Sequence, residues 1–179
     1  APESEIVLDG WMTVKVEKGK VVAAANRPWN FWSGQQTSLR IWRALREALL
    51  AQIAGEGFFG EDFFAHRRAL TGRFGFDPGA AWNALDVGFS PNEQQMPVAS
   101  SPAVELFAAV GLQRFRPVVS DDREQFEYST WTFPLPPCVA AAACAGEIDS
   151  GGRCYRGIVV SRGSYAALGT SIPVERALR

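Results

Sequence analysis

The sequence predicts an α+β protein, and three observations carry that expectation. Leu39, Trp42, Leu45, Leu49 and Ile53 recur at helical spacing. Residues Gln125–Phe133 alternate with a period of two, and Tyr155–Ser161 with Tyr165–Ile172 reads as a closing hairpin. Helices mixed with antiparallel strands belong to the α+β class.

Each element has a local cause. Ile6–Leu8 and Val14–Val16 cluster or alternate like short strands, and Gly19–Ala25 reads as a hairpin return. The aromatic loop Arg27-Pro28-Trp29-Asn30-Phe31-Trp32 follows. Ser33 and Gln36 fit a capping box, with Gln36 reaching back to the amide of Ser33. The helix that follows carries Gln36, Arg40, Arg43 and Glu47 opposite its apolar stripe, and Gly55 and Gly57 end it. Phe58–Leu70, with four Phe and the pair Arg67-Arg68, predicts a second, shorter helix. Arg73–Asp77 reads as a strand running into a turn at Pro78.

Pro102 at the first helical position and Gly111 as a stop bracket another helix. Gln113–Val119 and Gln125–Phe133 then read as two strands across the charged turn Ser120–Arg123. Phe126, Tyr128, Thr130 and Thr132 fall on one side of the second; Glu127, Ser129, Trp131 and Phe133 fall on the other. Pro134–Pro137 closes that unit, Val139–Ala145 is a short helix, and Gly146–Gly152 is a loop before the last hairpin.

A chain of 179 residues, 47% hydrophobic and 21% charged, has enough material for one well-filled core spanning 1–179, with possible sub-lobes 1–78 and 79–179. Its net charge of −1 supplies no global attraction for nucleic acid or anionic membrane, so any basic footprint is local. Of the 18 cations, 15 are Arg, whose planar fork suits phosphate and stacks on rings. Cys138, Cys144 and Cys154 form no paired framework, and no signal peptide or membrane-length apolar run is visible. The chain therefore reads as soluble and cytoplasmic. It begins at Ala1 without Met, which suggests a processed protein or a segment of a longer one.

The inventory for catalysis is thin. The one histidine, His66, has no ligand-spaced neighbours, and the C-x5-C-x9-C spacing is not that of a zinc site. No phosphate-binding loop, dinucleotide fingerprint or nucleophile elbow occurs. Asp86, Glu105 and Asp121-Asp122 are the candidates for a divalent-metal nuclease. Turn chemistry explains Asp86 and the Asp pair equally well, and the helix dipole explains Glu105. No cofactor, metal or small-molecule substrate is expected.

Nucleic-acid contact has more behind it. The helix start near Ser33–Gln36 favours phosphate, with Arg27 before it and Arg40 and Arg43 on the polar face. Arg114-Phe115-Arg116 puts two guanidiniums on one side of a strand and the ring on the other. Arg153, Arg156 and Arg162, with Arg176 and Arg179, make 150–179 the most basic stretch. Trp29, Phe31 and Trp32 suit either base stacking or a plug over the core. Folding is expected to gather these guanidiniums into one anion-gripping ridge. A well-capped amphipathic helix and ordinary amphipathic strands would look the same.

Two blocks, Trp29–Arg43 (WNFWSGQQTSLRIWR) and Asn83–Pro117 (NALDVGFSPNEQQMPVASSPAVELFAAVGLQRFRP), with an echo in Tyr128–Pro134, carry a more specific signal. Their wording resembles the large-subunit-type protein of the type I-G (formerly I-U) CRISPR interference complex. That resemblance covers about a third of the chain. Members of the family are longer, so this chain looks like their C-terminal portion or an internally initiated small subunit. The resemblance implies a non-catalytic ribonucleoprotein component in antiviral defense. Its partners would be crRNA, target DNA and the other subunits of the complex, which implies RNA-binding and DNA-binding surfaces. In such assemblies base pairing reads sequence while protein grips backbone and shape. A purely protein–protein scaffold is the alternative expectation, and a divalent-metal nuclease the second.

Overall fold

One long strand organises the sheet. In this computed structural model, which describes residues 12–25, 31, 36–56, 62–81, 96–121, 124–162 and 165–175, helices pack with antiparallel sheets in an α+β fold. A first hairpin joins β1 (Met12–Glu17) to β2 (Lys20–Ala25). Its two-residue turn places Lys18 and Gly19 at φ 51° and 74°, the primed geometry that matches strand twist. Next come α1 (Ser38–Glu56) and the short pair β3 (Arg68–Leu70) with β4 (Val98–Ser100). The chain continues through α2 (Pro102–Gly111), β5 (Val118–Val119), β6 (Gln125–Trp131) and α3 (Pro137–Cys144). It ends with β7 (Gly151–Arg162), β8 (Tyr165–Leu168) and β9 (Ile172–Val174). The larger sheet runs β5-β6-β7-β8, and β9 also pairs with β7.

Several local expectations change. The cap of α1 is Thr37, whose Oγ1 accepts the Arg40 amide at 3.3 Å; Ser33 lies outside the described residues. The buried face of α1 is Ser38, Ile41, Leu45 and Gln52, whereas Leu39 is 57% exposed. The apolar residues occupy a broad arc, and packing against α2 selects which side of it is covered. The second helix expected over Phe58–Leu70 is absent from its described part: 62–65 is a turn and Arg68–Leu70 is β3. Arg73–Phe76 is likewise irregular, because the amides of Phe74 and Gly75 bond to a side chain instead of a neighbouring strand.

The start of α2 is as expected. Ser101 caps it by accepting the Val104 amide at 3.3 Å, and Pro102 opens it. Its end is not: Gly111 stays helical and Leu112 closes the helix at φ −62°. The amides of Arg114 and Phe115 then both donate to the Gly111 carbonyl, at 3.0 and 2.9 Å. That extra turn consumes residues expected in a strand, so only Val118–Val119 pairs with β6. Helix α3 ends in a double bond pattern, with the Gly146 amide on Ala143 and the Glu147 amide on Ala142, both at 3.0 Å.

A register shift between Ser129 and Trp131 breaks the alternation expected along β6, burying Ser129 and exposing Thr130. Before the shift, Phe126 lies opposite Gly157, and its ring occupies the space where any Cβ at 157 would stand. The main core joins Phe31, Ile41, Leu45, Phe74 and Phe76 to Leu106, Ala109, Leu112 and Phe126, and so draws on both sides of position 78. A smaller cluster packs Ala80, Ala81 and Val98 against Val160 and Ala167.

Candidate nucleic-acid interface

The most concentrated polar chemistry in the fold is internal. Glu105, on α2, is fully buried. Its Oε2 accepts the amides of Phe74 and Gly75 at 2.8 and 3.0 Å, and its Oε1 accepts that of Asp77 at 3.0 Å. Asp77 is equally enclosed: its carboxylate takes the amides of Gly79 and Ser101, and Arg67 approaches it at 3.4 Å. Burial pushes the Glu105 carboxyl above its ordinary range, against the opposing pull of the Asp77 amide and of buried Arg73. These two carboxylates are committed to backbone amides and closed to solvent, so their arrangement braces the 73–79 segment. Sequence spacing assigned Glu105 to the helix dipole; its inward aim depends on a loop roughly thirty residues away. Among the described residues no group of three or more His, Cys, Asp or Glu is placed to hold a metal ion. Asp86 and Asp122 lie outside the described residues.

Folding sorts the arginines into two kinds. Arg67 meets Asp77, Arg68 donates to the Ala48 carbonyl at 3.3 Å, and Arg73 is buried near Glu105. Arg156, expected to be a free cation, is instead paired: its Nε and Nη2 donate to Glu127 Oε1 at 3.0 and 2.7 Å. The register of β6 on β7 puts the two residues directly opposite each other. Gln36 is also withdrawn from the surface face assigned to it. Its amide donates to the Thr71 carbonyl at 2.8 Å, tying the start of α1 to the end of β3, because the helix begins two residues later than Gln36.

Arg40, Arg43, Arg46, Arg114, Arg116 and Arg153 remain exposed, and among the described residues no ion pair engages them. The first three lie on the outer face of α1; the others lie on the 112–117 segment and on β7. The single guanidinium ridge expected from the sequence thus loses Arg156, and the exposed arginines among the described residues fall on two sets of elements. Arg27 and the side chain of Arg162 lie outside the described residues, as do Arg176 and Arg179.

Aromatic rings mark out the second set. Phe31 is 5% exposed and meets Phe76 edge-on, so it is a core plug; Trp29 and Trp32 lie outside the described residues. Phe115, between exposed Arg114 and Arg116, is half-buried with its ring 5.9 Å from that of Trp131. Trp131 and Phe133 are exposed. Thr130, next to Trp131, accepts the Arg153 amide at 3.0 Å. The backbone of Arg153 and the Arg114–Arg116 stretch around Phe115 therefore both adjoin the Thr130–Trp131 end of β6. Phe115 also lines a pocket of about 280 Å³ with Phe76, Pro117, Phe126, Tyr128 and Cys144. The sequence marked Arg114 and Arg116 but missed the ring pair, since residues 115 and 131 meet only through tertiary packing.

No protein-family model, curated protein or solved structure matches this chain. No helix among the described residues is long and apolar enough to cross a membrane.

Proposed function

We propose that this chain is a non-catalytic, cytoplasmic subunit of a crRNA-guided type I-G surveillance complex, gripping a nucleic-acid backbone and docking on neighbouring subunits. The observation that carries this reading is the exposed couple Arg114 and Arg116, which no ion pair engages among the described residues, on either side of Phe115, whose ring packs on exposed Trp131. Guanidiniums that are not neutralised by the protein release condensed counterions when they meet phosphate, and neighbouring rings add sequence-tolerant stacking. The resemblance of Trp29–Arg43 and Asn83–Pro117 to the family's wording supplies the assembly.

Binding of the purified chain to single-stranded DNA and RNA across a salt series tests the proposal. Arg114→Glu with Arg116→Glu should weaken binding and reduce the slope of log affinity against log salt by roughly 1–2, about 0.7 for each single-strand phosphate no longer neutralised. An unchanged slope in the folded double variant refutes this use of the segment. Mg²⁺ should leave the oligonucleotides uncut.

One observation favours the scaffold reading for another surface. Phe63, Phe64 and Phe107 contact one another edge-on with centroids 5.1–6.1 Å apart, and Phe64 and Phe107 are 54% and 46% exposed. Exposed apolar clusters of this kind are typical of subunit contacts. Phe107→Asp should then release partner subunits from the purified complex without changing oligonucleotide affinity.

A further inference from the structure

A pocket lies beside Phe115. We propose that it receives one unstacked nucleobase of a single strand whose phosphates lie on Arg114 and Arg116. This rests on the nucleic-acid reading above and adds what the pocket recognises. The lining includes four aromatic rings, Phe76, Phe115, Phe126 and Tyr128, beside Pro117 and Leu168. Phe126 and Tyr128, two residues apart on one face of β6, lie with their planes 17° apart, and Tyr155 continues the stack from β7 at 18°. Phe76 and Phe126 are core residues, so the partly buried rings of Phe115 and Tyr128 are the ones a flat ring can reach.

Size narrows the occupant. At about 280 Å³ the pocket lies just below the roughly 300–1,000 Å³ of sites for drug-sized ligands, so it suits one base and not a dinucleotide cofactor. Charge selects among flat rings. Arg114 and Arg116 do not line the pocket but flank its lining residue Phe115 in the chain and are exposed; an uncharged side chain of a protein partner offers them nothing, whereas a nucleotide carries an anion with its ring. A base inside a duplex is stacked and cannot enter, so the site takes single strands. The apolar lining predicts little preference among bases.

The test uses the full chain and two single-stranded DNA dodecamers of equal charge, one intact and one with abasic sites throughout. The intact strand should bind wild type roughly 5- to 150-fold more tightly, the range expected when one base stacks on rings. Ser171→Trp, which adds a ring at the pocket lining without removing a cation, should erase that difference while leaving the salt slope unchanged. Phe115→Ala provides the same readout if the plugged variant misfolds. Equal binding of both strands by wild type overturns the pocket assignment and leaves the backbone reading standing. So does discrimination that persists in folded Ser171→Trp. Absence of binding to either strand at low salt defeats the backbone reading, and the pocket falls with it. Release of a partner subunit by Ser171→Trp, with strand discrimination intact, shows that the pocket holds a protein segment instead.

Discussion

Asp77 and Glu105 each hold the other's stretch of chain: the Asp77 amide donates to Glu105 Oε1 at 3.0 Å, and Asp77 Oδ2 accepts, at 2.9 Å, the amide of Ser101, the cap of Glu105's own helix. The stitch fastens α2 to the 73–79 segment, whose Gly75 carbonyl in turn accepts the Leu168 amide from β8 at 2.8 Å. Glu105→Ala would strand the amides of Phe74, Gly75 and Asp77 in the interior. Each unsatisfied buried donor costs about 1–3 kcal/mol, so a loss above about 3 kcal/mol in urea unfolding is expected. A loss under about 1 kcal/mol would show that the stitch does not hold the fold together.

The same carboxyl gives stability a pH dependence of definite sign. Burial raises the Glu105 carboxyl above the ordinary 4.5. Between those two values the folded protein retains a proton that the unfolded chain has released, so stability falls as pH rises. The contribution is complete below the unfolded value and is lost as pH climbs through the folded one. Glu105→Gln cannot titrate. The stability of wild type relative to this variant should therefore shrink with rising pH in chemical denaturation. A gap that widens with pH would mean that the amides hold the group ionised.

Phe126 and Gly157 form a ring-on-glycine pair across β6 and β7. Gly157→Ala should cost about 1–3 kcal/mol, the range for overpacking a filled core. Pairing it with Phe126→Leu should recover part of the loss, since contacting sites couple by more than about 0.5 kcal/mol. Strict additivity of the two variants would show that the ring can move aside.

Exposed cations separate from paired ones by experiment. Arg40→Glu with Arg43→Glu on α1 should lower nucleic-acid affinity and flatten its salt dependence. Arg156→Ala removes a guanidinium already engaged by Glu127 and should leave the salt slope unchanged. Its stability cost should stay below about 1 kcal/mol, as for other surface pairs. If Arg156→Ala flattens the slope as much as the α1 variant, the ion pair opens to ligand.

Cys144 reports on the pocket. Burial pushes its thiol above the ordinary 9.0, while Cys138, at the start of α3, is exposed. Thiolate is the reactive form, so iodoacetamide should modify Cys138 first and Cys144 only slowly until the protein unfolds. Comparable rates, followed by mass spectrometry, would indicate that the pocket opens readily.

The elements most legible in the sequence were those with a local cause. Ser101 and Pro102 open α2, the apolar recurrence sets α1, and the two-residue turn at Lys18–Gly19 joins β1 to β2; each is set by neighbours within a few positions. The failures share a different origin. Phe58–Leu70 has helical composition but supplies β3, whose partner β4 lies about thirty residues on, while Phe74 and Gly75 give their amides to Glu105 instead of a strand. Among the candidate contacts, Arg40, Arg43, Arg114, Arg116 and Arg153 stand exposed as expected.

By itself the sequence determined the class of fold, the capped start of α2 and the wealth of arginine over lysine, because these depend on residue type and short-range spacing. Only the tertiary structure decided which arginines are spent. Arg156 meets Glu127 through strand register, Arg67 meets Asp77 through the buried brace, and Phe115 finds Trp131 and a pocket through packing. Whether a charge is neutralised depends on what lies within a few ångströms, and for Arg67 and Arg156 those neighbours are 10 and 29 residues away along the chain.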